Sequence, residues 1–131
     1  MKIEFELSGL IDASPEIIYK AWLNSEEHSA MTGGDANVSD KVGEGFEAWD
    51  GYISGVNLEL KENQRILQHW RTSEFEDSDE DSLLEILLEA KNGGTFITLK
   101  HSNLPPHGMQ YKEGWVDNYF NPMNEYLGNK S

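Results

Sequence analysis

The sequence has 131 residues, one domain's worth, long enough to bury a core without disulfide or metal staples. It contains no cysteine, which excludes disulfides and thiolate metal sites and fits an intracellular, cytoplasmic setting. With 24 acidic against 10 basic side chains the net charge is −14, a surface that repels nucleic-acid phosphates and anionic lipid headgroups and offers an acidic face to a basic partner.

Ile3, Phe5 and Leu7 alternate with Glu4, Glu6 and Ser8, the pattern of a half-buried strand. This N-terminus has no unbroken apolar run, so neither a signal peptide nor a membrane anchor is expected. No later stretch reaches the roughly 20 apolar residues of a membrane-spanning helix. Ser14-Pro15 reads as an N-cap followed by proline at the first helical position, with Ile17, Ile18, Ala21 and Trp22 on the buried face. Ser25-Glu26-Glu27-His28 starts a second short helix with acidic residues in its first turn, and Gly33-Gly34 ends it.

From there the period changes to two. Strands are predicted over 36–40, 45–50, 52–61, 65–73, 82–90 and 95–102, with turns at Gly43, Asp50-Gly51, Glu62-Asn63 and Asn92-Gly93-Gly94. Leu104-Pro105-Pro106 breaks the last strand and leads into residues 107–127, where Trp115, Val116, Tyr119, Phe120, Met123, Tyr126 and Leu127 recur at helical intervals. A helix over 109–127 is predicted, kinked at Pro122, whose ring lacks an N–H and crowds the carbonyl of Asn118. The order implies a single α+β domain over 1–131. Its curved antiparallel sheet of about six or seven strands wraps around a long C-terminal helix, with two short helices after the first strand.

Candidate chemistry is sparse. Asp77, Asp79 and Asp81 have the first three spacings of an EF-hand loop, but Ser82 stands where its glycine belongs and Leu88 where its bidentate glutamate belongs. A solvated acidic hairpin tip is the better reading. Gly43 and Gly45 open a strand, so no helix N-terminus stands ready for a pyrophosphate. His28, His69, His101 and His107 have no i,i+3 or i,i+4 partners, so no metal and no cofactor site is expected. Covalent catalysis lacks an obvious nucleophile. Alternation puts Gln68 with Ile66 and Trp70, and His101 with Ile97 and Leu99, on faces assigned inward. Polar groups on an otherwise apolar wall are the usual design of a small-ligand site.

Residues 42–71 (VGEGFEAWDGYISGVNLELKENQRILQHWR), 93–105 (GGTFITLKHSNLP) and 113–127 (EGWVDNYFNPMNEYL) resemble the heat-shock protein 90 ATPase activator-like family. That family belongs to the START-like, helix-grip superfamily (SRPBCC), which shares the birch-pollen allergen fold. Gly51 and Gly55 around a strand, Trp70-Arg71 and Gly114-Trp115 are the most specific marks. The resemblance implies a sheet gripping the C-terminal helix around a cavity, and it carries no catalytic motif. Similar domains in eukaryotic co-chaperones contact the chaperone and stimulate its ATPase in the stress response, aided by an additional N-terminal domain that this sequence is expected to lack. Gln68 stands where relatives commonly have an apolar residue.

The residues and the resemblance favour a non-catalytic domain that binds a small hydrophobic or amphipathic molecule between sheet and helix. Its expected lining is Trp49, Trp70, Ile86, Leu88, Leu99, Trp115, Tyr119 and Met123, with Gln68 and His101 as polar anchors. The alternative is a co-chaperone-like domain that binds and stimulates a heat-shock protein 90 homologue through its acidic exterior. The third reading is an enzyme using a cavity histidine or glutamate for acid–base work. No nucleic acid or membrane partner is expected.

Overall fold

The computed structural model describes residues 2–128. Strand β1 (Ile3–Ile11) is followed by helices α1 (Pro15–Leu23) and α2 (Ser25–Thr32), then by β2 (Gly45–Ala48), β3 (Ile53–Lys61), β4 (Arg65–Thr72), β5 (Ser82–Lys91) and β6 (Gly94–Leu104). The strands form one sheet in the order β1-β6-β5-β4-β3-β2, every neighbouring pair antiparallel. The C-terminal helix runs without a break over residues 110–128. The chain has the α+β helix-grip architecture. No helix among the described residues is long and apolar enough to cross a membrane.

Local chemistry places the elements. Ser14 accepts the Ile17 N–H at 3.3 Å and Pro15 occupies the first turn of α1. The cap of α2 is Asn24, one residue ahead of the expected start, accepting from the Glu27 N–H at 3.0 Å. Gly33, with φ of +86°, closes that helix through the Ser29 carbonyl. Asn92 and Gly93, both at positive φ, form the two-residue turn between β5 and β6.

Segment 36–40 is not a strand, and its ladder pairing with the sheet is a single bridge from Asn37 to Glu47. Its backbone is taken up by side chains. The Ser25 hydroxyl bonds both the N–H and the carbonyl of Val38, Ser29 does the same for Ala36, and Asn57 Nδ2 donates to Ser39 O at 2.8 Å. With these groups satisfied, the segment has no need of a ladder.

The inward faces follow the predicted parity. Ile66, Gln68, Trp70 and Thr72 of β4, Ser82, Leu84, Ile86 and Leu88 of β5, and Thr95, Ile97, Leu99 and His101 of β6 are all buried. At Gly55 a side chain has no room, because a Cβ would lie 1.9 Å from the His69 carbonyl and 2.7 Å from the Phe46 ring.

A π-turn stands just before Pro122, where a kink is expected from the sequence. The C-terminal helix is α-helical over Gln110–Trp115 (α3), becomes a π-turn over Val116–Phe120, and resumes as α4 over Asn121–Gly128. The Asn121 N–H reaches back to Val116 O, five residues away. This widened turn immediately precedes Pro122, whose missing N–H and bulky ring would otherwise disrupt a regular ladder.

Trp115 joins helix to sheet. It is buried, stacks on Trp22 at a centroid distance of 6.1 Å, and lies 5.6 Å from Trp70 and 4.8 Å from Tyr119. Trp115→Ala is expected to lower stability by about 3–5 kcal/mol in urea denaturation. Trp115→Phe keeps most of the packing but leaves His101 Nδ1 without a donor, at a cost of about 1–3 kcal/mol. Losses below about 1 kcal/mol for both would show that the indole does not anchor the helix.

Candidate functional site

A cleft of about 590 Å³ opens at one end of the molecule, between the first half of the C-terminal helix and the β2–β3 end of the sheet. The helix contributes Gln110, Tyr111, Gly114, Trp115, Asn118 and Tyr119. The sheet and its loops contribute Trp49, Tyr52, Ile53, Trp70 and Glu74. Helical spacing puts Tyr111, Trp115 and Tyr119 on one stripe, each four residues from the next. Gly114, beside that stripe, leaves open space, since the nearest atom to a Cβ there is Asn118 Nδ2 at 3.7 Å.

The aromatic walls support one another. Trp70 meets Tyr111 edge-on at 5.0 Å, and Trp49 meets Tyr119 edge-on at 6.5 Å. Trp49 and Asp50 both have left-handed backbones, with φ of +53° and +59°. Such geometry in non-glycine residues costs of the order of 1–3 kcal/mol each and persists only where the surroundings enforce it. Here Asp50 pairs with Asp35 through N–H to O at 3.0 Å, and Asp50 Oδ1 accepts the Asp35 N–H at 3.1 Å. Gly34 lies so close beneath the indole that a Cβ would sit 2.6 Å from it.

The mouth is polar. Glu74 accepts from the Tyr52 hydroxyl and, at 2.8 Å, from Gln110 Nε2, which ties the hairpin, the β4–β5 loop and the helix together. Burial, reinforced by Glu74, raises the Tyr52 phenol well above its ordinary value, so it stays a donor. The rest of the acidic segment is folded around Arg71. Its guanidinium bonds Asp81 Oδ1 at 2.8 Å and the carbonyls of Glu76 and Asp79, and it lies over the Phe75 ring. A cationic side chain therefore occupies the centre of the run whose spacing resembles a calcium loop.

Behind the aromatic walls lie two enclosed histidines. An indole N–H can only donate, so Trp115 Nε1–H gives its proton to His101 Nδ1 at 3.1 Å. His101 Nε2–H then donates to Ser82 Oγ at 2.7 Å, and that hydroxyl donates to the Trp70 carbonyl at 2.8 Å. Burial holds His101 at about 3, far below its ordinary 6.5. A carbonyl can only accept, so His28 Nδ1–H donates to Trp22 O at 2.8 Å, and His28 Nε2 accepts from the Tyr119 hydroxyl at 2.9 Å. Burial lowers His28 too, against a smaller opposing effect of the Trp22 carbonyl, and raises the Tyr119 phenol.

Of the residues expected to line the cavity, Trp49, Trp70, Trp115 and Tyr119 do so. Ile86, Leu88, Leu99 and Met123 are packed into the core, and His101 is spent on its relay. Gln68 is 2% exposed. Its Nε2 donates to Asn57 Oδ1 at 2.8 Å, while its Oε1 is buried without a partner among the described residues. None of these six belongs to the cleft lining. Tyr111 was accessible to sequence reasoning, since it precedes Trp115 by one helical turn. Glu74 carries no such signal, because the fold of the loop alone brings it to the mouth.

A family model described as Activator of Hsp90 ATPase homolog 1-like protein matches residues 12–128. The chain belongs to this family. The human activator of 90 kDa heat shock protein ATPase homolog 1 is 25% identical over 116 residues, covering 88% of this chain and 34% of that protein. The chain thus spans about a third of its relative's length. Among solved structures, an HSP90 activator from Plasmodium falciparum superposes with a TM-score of 0.86 at 24% identity, over 96% of both chains. Ara h 8.0201 superposes with a TM-score of 0.75 at 15% identity, over 97% of this chain and 98% of the other. At these identities the two likenesses establish the fold.

The neutral histidines have a measurable consequence. Unfolded His101 takes a proton near 6.5, whereas the folded one holds off until about 3, so below 6.5 the unfolded state binds more protons. Stability should therefore fall as pH drops from about 6.5 toward 3, by up to roughly 1.4 kcal/mol per pH unit for each such histidine. Urea midpoints between about pH 7 and about pH 5 should show this slope, and His101→Gln should remove one proton's share. A flat wild-type profile over that window would mean the imidazoles ionise inside the fold.

Proposed function

We propose that this domain binds a small, largely apolar molecule with a polar end in the aromatic cleft. The observation that carries the reading is the cleft itself, about 590 Å³ in volume and walled by three tryptophans and three tyrosines with polar groups gathered at the mouth. Pockets of roughly 300–1,000 Å³ with apolar walls and a few convergent polar groups are the usual form of small-ligand sites. The molecule enters ring- or chain-first against Trp70, Trp115 and Tyr119 and keeps its polar end near Tyr52, Glu74 and Gln110. The helical residues that line the cleft, Gln110 to Tyr119, set how far along the helix the occupant reaches.

A second reading follows from family membership and from the printed names of the human and Plasmodium relatives. In it the domain docks on a 90 kDa heat-shock protein and stimulates its ATPase. The net charge of −14 favours a basic docking face on such a partner. Its test is the ATPase rate of a cognate chaperone, which saturating domain should raise and which an unchanged rate would contradict.

The ligand reading is tested by fluorescence. Three of the protein's four tryptophans line the cleft, so a neutral probe such as 1-aminoanthracene should quench them saturably, with one site per chain. Gly114→Leu directs a side chain into the space and should weaken binding by at least about tenfold while the urea midpoint stays within about 1 kcal/mol of wild type. Saturable binding indifferent to this substitution would put the probe elsewhere and end the proposal.

A further inference from the structure

We infer that the polar end of the molecule is a methylated ammonium group, so that the cleft selects small organic cations. This rests on the ligand-binding reading above and specifies its chemistry. Among the lining residues Glu74 alone is charged, and no lysine, arginine or histidine joins it. Six aromatic rings, those of Trp49, Tyr52, Trp70, Tyr111, Trp115 and Tyr119, surround the space. Ring faces carry negative potential and attract cations, tryptophan most strongly, and the attraction grows as water is excluded. A carboxylate at the mouth and a protein of net charge −14 add attraction of the same sign.

The hydrogen-bond inventory separates methylated from unmethylated cations. A primary ammonium brings three N–H donors, and each must find an acceptor on leaving water. Glu74 Oε2 already accepts from Tyr52 and Gln110, so Glu74 Oε1 is the one charged oxygen in the lining left to receive a donor, and it cannot take all three. A trimethylammonium group has no N–H to satisfy and is weakly hydrated, so its entry leaves nothing unpaired. The same argument disfavours anions, which would meet Glu74 with no compensating cation in the lining.

An isosteric pair tests the charge alone. 3-Hydroxyphenyltrimethylammonium and 3-tert-butylphenol differ by nitrogen for carbon and are titrated into the same protein by tryptophan fluorescence and calorimetry. Wild type should prefer the cation by about tenfold. Glu74→Gln, a change at an exposed rim position, should reduce that preference severalfold by weakening the cation more than 3-tert-butylphenol. Raising salt from about 50 mM to about 500 mM should weaken only the cation. Gly114→Leu should weaken both ligands, which places them in the cleft. Equal affinity for the pair overturns the inference and leaves the ligand reading intact. Binding of neither compound, together with failure of the neutral probe, overturns both. If Glu74→Gln lost its fold by circular dichroism, the salt arm on wild type would still decide, since a salt-independent preference contradicts a role for the carboxylate.

Discussion

The bond from the Trp115 indole to His101 is the constraint around which the rest of the structure is arranged. It crosses from the C-terminal helix to strand β6 of the sheet, and it works only while the imidazole is neutral, with Nδ1 free to accept. Burial keeps it so, and Ser82 completes the requirement by taking the other ring proton and passing its own to the Trp70 carbonyl. Every donor in the series Trp115–His101–Ser82 therefore has an acceptor, so these polar groups cost little in the core. The same indole then serves as a surface for Trp22, Trp70 and Tyr119, which arrive from α1, β4 and the π-turn. One side chain thus sets the distance between helix and sheet at the end where the cleft opens.

Down the helix the spacing is set differently. Proline in a helix interior removes one hydrogen bond and pushes against a carbonyl, at a cost of about 3 kcal/mol or more. The π-turn inserts an extra residue just before Pro122 and lets the helix continue to Gly128. Tyr119 and Phe120 are both buried within this turn, and Met123 and Leu127 follow on the core side of α4. The upper helix borders the cleft, and the lower helix buries Met123 and Leu127. The change between them occurs within the widened turn.

Much of this was legible beforehand, and the misses have physical causes. Alternation along β4 and β6 was enough to place Gln68, Trp70, Leu99 and His101 inward, because a one-residue slip would expose a hydrophobic face. Turn chemistry marked the hairpins for the same kind of local reason. Segment 36–40 failed because strand propensity says nothing of Ser25 and Ser29, which come from a helix several residues earlier and satisfy its backbone instead. Periodicity identifies which side chains face inward but not which of them border open space, and the buried Ile86, Leu99 and Met123 lie outside the cleft lining. Glu74 was invisible because its position depends on how Arg71 gathers the acidic loop.

What keeps the cleft from collapsing is the rigidity of its walls. An apolar void forfeits dispersion contacts, so flexible neighbours would tend to fill it. Here the candidates for filling are held back. Trp49 is fixed by a left-handed backbone over Gly34, Tyr119 by its hydroxyl on His28, Trp115 by His101, and Tyr111 by a 2.7 Å bond to Thr72 Oγ1. Each of these four rings would have to break a buried hydrogen bond or a backbone constraint to turn inward, at about 1–3 kcal/mol for an unpaired group. Gly114 supplies no side chain where the helix passes the space. The space is thus preorganised, and an occupant need not provide the free energy to open it. Strain at Trp49 and a glycine inside a helix are local costs that a filled core would have no reason to carry.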